Sequence, residues 1–342
     1  MTTKGLYCDI RLNDSERYSI DKPRDWNMRI PNEILDCVCF LGVNLAGGPN
    51  AHKFYSFGTG FFVGVEQDGH HFSYLVTAKH VVDEAERGGY GRLFARVNTQ
   101  AGGTSNIELR ENDAWIRWTN DAIDVAVLPL PNLDSKSFSN RYIPMKMFAD
   151  NQKIAELGIG PGDDLFAVGL FVLKAGKQRN TPIVRTGIIA AMPLQSEPFT
   201  RKGGTYHAYL AEMRSIGGLS GSPVFVFLDQ SRLYDARIPE GTHVVIACLG
   251  LIRGHWDLER ELSDDVEVAA DAEMGYSKGE NLNTGIAVVT PIHYVIGILN
   301  SKEMQAMRAD IIRAYDEKIE PTEDKVTVRP VTIDDSATGQ SR

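Results

Sequence analysis

From Asp36 to Val289 the chain is built of short apolar runs broken by Gly, Asn, Asp and Pro. The first group is Cys37–Val43, Phe57–Val65, Phe72–Thr77, Arg92–Val97, Ile107–Trp118 and Ile123–Leu130. The second is Tyr142–Phe148, Leu165–Val172, Ile183–Met192, Ala208–Met213, Pro223–Phe227, His243–Ile252 and Gly285–Val289. Strand-length runs with turn residues at regular intervals predict an all-β sandwich or barrel. Helical spacing of apolar residues is nearly absent until Val289 has passed.

After it, Thr290 can cap and Pro291 suits a first helical position, with Ile292, Val295, Ile296 and Leu299 at helical spacing. Met304, Met307, Ile311, Ile312 and Tyr315 continue the series. The stretch Pro129–Ser139 is rich in Pro, Ser, Asn and Asp and divides the two strand groups. The expected organisation is an arm over 1–35, a first barrel over 36–135 and a second over 136–290. Helices over 291–320 and a disordered tail over 321–342 complete it.

Composition removes several function classes. With 342 residues, 43% hydrophobic and 24% charged, the chain has enough apolar material for a large core. A net charge of −9 argues against nucleic acid as a partner. No apolar run reaches the roughly 18 residues of a membrane helix. Lys4, Asp9, Arg11 and Asp14 stand where a signal peptide needs an apolar block, so a cytoplasmic location is expected. The four cysteines, Cys8, Cys37, Cys39 and Cys248, are too sparse for a disulfide scaffold. Cys37 and Cys39 fall on one face of a strand, as buried thiols would.

Three local patterns carry chemistry. In Leu75-Val76-Thr77-Ala78-Lys79-His80, a histidine follows the end of an apolar strand. In Ile123-Asp124-Val125-Ala126-Val127-Leu128, an aspartate opens one. In Gly217-Gly218-Leu219-Ser220-Gly221-Ser222-Pro223, a serine sits in a glycine-rich turn. A serine hydroxyl is a weak nucleophile at neutral pH and needs an adjacent base. Histidine suits that role, and a buried carboxylate fixes its tautomer. Glycines beside the serine let the backbone turn so that the amides of Gly218 and Ser220 converge as an oxyanion hole.

These segments resemble the trypsin/chymotrypsin-like serine peptidases. Thr77-Ala78-Lys79-His80 is similar to the family's Thr-Ala-x-His, and Asp124 to the aspartate opening its apolar strand. Gly218-Leu219-Ser220-Gly221-Ser222-Pro223 is similar to its Gly-Asp-Ser-Gly-Gly-Pro. Outside the triad, Gly58-Thr59-Gly60-Phe61, Gly169, Arg185–Ile189 and Ala287–Ile292 resemble further family segments, the middle two especially its bacterial high-temperature-requirement branch. The resemblance spans about residues 36–300 and implies two six-stranded antiparallel β-barrels with His80, Asp124 and Ser220 in the cleft between them. Leu219 stands where digestive members carry the Asp that pairs with a newly cut N-terminus, so activity without N-terminal processing, or control by a partner, is expected. No PDZ-sized domain is expected after Leu299.

The resemblance also places substrate-binding positions. Six residues before the nucleophile stands Arg214, which either recognises an acidic side chain or turns outward and pairs internally. Leu251–His255 would form the pocket wall, pairing with substrate as an added strand, with Arg253 and His255 at its rim. The acidic insertion Trp256–Thr284 adjoins that wall as a solvated loop, a lid or a site for a basic partner. His70–His71 are adjacent on a strand and face opposite ways, so no metal is expected, and no nucleotide motif implies a cofactor. The expectation is a serine endopeptidase acting on protein or peptide substrates, under control of a regulatory protein in one version. Its rival is a catalytically silent binding or scaffold protein on the same fold.

Overall fold

The computed structural model describes residues 30–44, 54–90, 92–111, 114–171, 176, 178–192, 199–201, 204–213, 218–229, 244–257, 283–316 and 332–333. The first half is a curled sheet of β1 (Val38–Asn44), β2 (Phe54–Gln67), β3 (His70–Thr77), β4 (Arg92–Asn98), β5 (Thr104–Glu111), β6 (Ile116–Trp118), β7 (Ala126–Leu130) and the short β8 (Ile143–Pro144). The second half comprises β9 (Asp164–Gly169), β10 (Ile183–Ala191), β13 (Tyr209–Glu212), β14 (Pro223–Asp229), β15 (Val244–Asp257) and β16 (Asn283–Pro291), closed into a barrel. The small hairpin β11 (Phe199–Arg201) and β12 (Gly204–Tyr206) stands apart from it. Helices α1 (Asn32–Leu35), α2 (Lys79–Arg87), α3 (Asn151–Leu157), α4 (His293–Leu299) and α5 (Lys302–Asp316) complete the described elements with β17 (Thr332–Ile333).

Among the described residues one barrel, not two, is closed. The first sheet runs β17-β6-β7-β3-β2-β1-β4-β5 and ends in two edges. β6 is three residues long and its outer edge pairs in parallel with β17, so β5 does not close upon it. That pairing also places Thr332–Ile333, inside the tail expected to be disordered, on the sheet.

The period-2 alternation of strands explains how the halves join. On β9, Leu165 and Ala167 face the barrel core, while Phe166 and Val168 join the other hydrophobic cluster with the first sheet. On β14, Val224, Val226 and Leu228 point inward and Phe225 outward. Phe166 and Phe225 stack at 5.1 Å between ring centroids. These strands are buried on both faces, which is why their sequences read as unbroken apolar runs.

Two local expectations change. Pro291 does not begin a helix; it ends β16 opposite Gly250, a strand end where a missing N–H costs little. α4 starts at His293, one residue after Ile292. Helix α2, unforeseen, buries Val81, Val82 and Ala85 and packs its apolar side against the sheet. Among the described residues no helix is long and apolar enough to cross a membrane. Cys37, Cys39 and Cys248 are buried free thiols, and burial pushes Cys248 up to about 12, leaving it inert at neutral pH. Cys8 lies outside the described residues.

Candidate active site

His80 stands in the first turn of α2, immediately after β3 ends at Thr77 and Ala78 runs extended. Asp124 lies in the irregular segment 119–125 between β6 and β7, flanked by buried Ile123 and Val125. β7 pairs with β3 and sets Ala126 opposite Thr77, which carries Asp124 to the start of α2. The carboxylate then binds His80 twice. Its Oδ1 accepts from the His80 backbone N–H at 2.9 Å, and its Oδ2 lies 2.7 Å from Nδ1. The Asp124 side chain is 6% exposed, that of His80 38%.

Opposing effects act on both groups. Burial pulls His80 down, but the hydrogen bond and charge of Asp124 outweigh it, so the imidazole sits above its ordinary value; Arg253 pulls it down and Glu84 up. For Asp124, burial raises, but the bond and charge of His80, the charge of Arg253 and the His80 amide lower it further, and the net direction is down. The carboxylate therefore stays ionised and can only accept, so Nδ1 carries the proton and Nε2 the lone pair.

Ser220 occupies a turn held by the first sheet. Thr59 N–H of β2 donates to Ser220 O at 2.9 Å, and Thr59 Oγ1 donates to Gly218 O at 3.0 Å. The same Oγ1 accepts from Leu170 N–H at 2.8 Å. Gly221 N–H donates to Ile252 O, and Ser222 N–H to Leu219 O, both at 2.8 Å. Gly218 and Gly221 have φ of 94° and 81°, the left-handed region that favours glycine. A Cβ at Gly221 would lie 2.2 Å from Thr59 O, 2.4 Å from Thr77 Oγ1 and 3.1 Å from Ala78 N. The serine turn thus packs onto Thr77, the end of β3, and onto Ala78, two residues before His80. No hydrogen bond joins Ser220 Oγ to His80 Nε2 here; catalytic contacts of this kind often tighten only with substrate bound. Among the described residues, neither Gly218 N–H nor Ser220 N–H donates to a protein acceptor.

Thr59 is a residue that motif reading did not assign a role, although Gly58-Thr59-Gly60-Phe61 marked its strand. It is fully buried and ties β2, the serine turn and the residue after β9 together. Thr59→Val keeps the shape but leaves Leu170 N–H and Gly218 O unpaired, at an expected cost of about 1–3 kcal/mol. Because Gly218 carries a candidate oxyanion amide, the loss is expected in kcat more than in KM. An unchanged kcat beside an unchanged urea midpoint would remove that role.

The residues expected to bind substrate fare unevenly. Arg214 lies outside the described residues, as do 258–282 of the acidic insertion. Leu251 cannot pair with a substrate strand: it is fully buried and already paired with Pro223 on one side and Thr290 on the other. Beyond Ile252, β15 pairs with β16 alone among the described residues, so the open edge begins at Arg253. His255 contributes backbone there, opposite Ala287. Arg253 is not splayed at a rim: its Nη1 donates to Ala122 O at 2.7 Å and its Nε lies 3.9 Å from Asp124 Oδ2. His71 Nδ1 lies 2.6 Å from Glu66 Oε1. No group of three or more His, Cys, Asp or Glu among the described residues is placed to hold a metal ion.

Leu219, beside Ser220, is fully buried in the barrel core. An apolar side chain there has no use for a terminal ammonium, whichever N-terminus the chain carries.

Comparison with known proteins returns no match among curated sequences. The family profile of the trypsin-like peptidase domain does match, over residues 58–232. That span is half of the chain and runs from β2, through His80 and Asp124, to just beyond β14. A mostly β fold with one closed barrel, a curled companion sheet and this profile match together place the chain in the trypsin-like peptidase family.

Proposed function

We propose that the protein is a serine endopeptidase in which His80, Asp124 and Ser220 form the triad. The observation that carries the reading is the pair of hydrogen bonds that the Asp124 carboxylate accepts from His80, which leaves Nε2 as the basic nitrogen. Ser220 Oγ attacks the scissile carbonyl carbon while Nε2 takes its proton. The negative oxygen of the tetrahedral intermediate is received by the amides of Gly218 and Ser220, each worth about 3–4 kcal/mol in sites of this kind. The intermediate collapses as Nε2 returns the proton to the leaving amine, giving an acyl-enzyme. Water then attacks the ester with His80 again as base, and Ser220 is restored. The polypeptide substrate lies as an added strand along the open edge of β15 from Arg253 onward. No cofactor takes part.

The buried Leu219 supports activity in the uncleaved chain. The direct test is a fluorophosphonate applied to the full-length, unprocessed protein. Covalent labelling that disappears in Ser220→Ala supports the reading. Absence of labelling, or labelling that survives the substitution, would leave a binding protein on a peptidase fold.

The pH dependence has a defined sign. His80 must be neutral to accept a proton, and its value is raised. Labelling is therefore expected to rise with pH along a limb centred above the ordinary imidazole value of about 6.5. A limb centred below it would contradict dominance of Asp124 over burial.

A further inference from the structure

We infer that Arg253 is a positioning residue of the triad: reaching from the closed barrel, its guanidinium anchors the 122–124 segment and shares the Asp124 carboxylate with His80. The inference goes beyond the peptidase reading in its geometry and rests on it only for the catalytic consequence.

Arg253 sits at an irregularity of β15, where the register with β16 shifts between Ile252 and Gly254. Its Nη1 donates to Ala122 O at 2.7 Å. Its Nε stands 3.9 Å from Asp124 Oδ2, the oxygen that also faces His80 Nδ1 at 2.7 Å. The two interactions grip residues on either side of Ile123, in a segment with no regular secondary structure. The arginine side chain is 25% exposed, against 6% for Asp124. A buried carboxylate needs a compensating partner, and a neutral imidazole supplies only a dipole in the resting state. Arg253 supplies a permanent positive charge and does so across the junction of the two halves.

Sharing has an electrostatic consequence. The charge of Asp124 favours the imidazolium; a guanidinium on the same carboxylate opposes it. The charged groups bearing on His80 are Asp124 from segment 119–125, Arg253 from β15 and Glu84 from α2. Asp83 of α2 also bears on the cluster and is held by Arg117 of β6 at 3.1 Å. Arg253 is thus the cation that keeps His80 from being over-stabilised as an imidazolium, so that it remains a base near neutral pH.

Two variants of the full chain separate charge from anchoring. R253M removes the charge and keeps most of the stem; R253K keeps the charge and loses the fork. The His80 imidazole is titrated by NMR, its signal assigned by loss in His80→Gln, alongside the pH profile of fluorophosphonate labelling. R253M is expected to raise the His80 midpoint by about one pH unit. Its labelling on the acid side should fall about tenfold, recovering at high pH. R253K should hold the midpoint near wild type. If R253M does not fold, R253Q keeps a donor for Ala122 O, lacks the charge and carries the same titration. An unmoved midpoint in R253M overturns the sharing, whether or not labelling falls, because a purely structural strut would leave it in place. An equal rise in R253K overturns it too. Should wild type not label while the R253M midpoint rises, the peptidase reading fails and the assignment of Arg253 stands.

Discussion

Asp124→Asn is expected to lower the rate of Ser220 acylation by about 10⁴-fold while leaving the fold in place. The amide is nearly isosteric with the carboxylate, and its oxygen can still accept from the His80 backbone N–H, now at 2.9 Å. What it cannot do is hold the proton on Nδ1. An amide NH₂ facing Nδ1 donates, which forces the imidazole proton to Nε2 and removes the lone pair that must take the Ser220 proton. It also removes the negative charge that raises His80. Fluorophosphonate labelling rates at the wild-type plateau pH, with circular dichroism as the fold control, measure this. A loss of less than about tenfold in a folded variant would mean that Asp124 does not orient the base.

Arg308→Ala is expected to lower unfolding free energy by about 3 kcal/mol. Arg308 of α5 is 2% exposed. Its Nε donates to Gln67 Oε1 at 2.6 Å, and its Nη1 to Tyr74 OH at 3.1 Å and to Leu299 O at 2.8 Å. It closes the carboxyl end of α4 and ties both C-terminal helices to β2 and β3. Truncation leaves a cavity and three unpaired polar atoms. Urea unfolding measures the change; a loss below about 1 kcal/mol would show that the helices are held by their apolar contacts alone. Because Tyr74 lies on β3, the strand that leads to His80, the stability of this attachment and the position of His80 share one element.

The parts of the site that motif reading found are those where local chain chemistry and function coincide. Gly218 and Gly221 are glycines because the turn takes positive φ, and that requirement is visible in the residue type. The strands of the second half were legible because burial on both faces leaves unbroken apolar runs, as on β9 and β14. Other features escaped for physical reasons. α2 is only nine residues, too short for a helical period to stand out beside strand-like Val81 and Val82. Pro291 has the fixed φ of a helix start but also suits a strand end, and the pairing with Gly250 decided between them. The open first sheet follows from a three-residue β6 and its contact with Thr332–Ile333, far along the chain.

From the residues alone came the supply of chemistry: a histidine, a carboxylate, a hydroxyl in a glycine turn, and strands enough to carry them. Docking of the two halves decided which groups meet. Thr59 reaches Ser220, and Arg253 turns from a presumed pocket rim to Ala122 and Asp124. Backbone conformation and burial leave a mark on each residue where it stands, whereas a hydrogen bond between distant positions depends on how separately formed surfaces come to rest against each other.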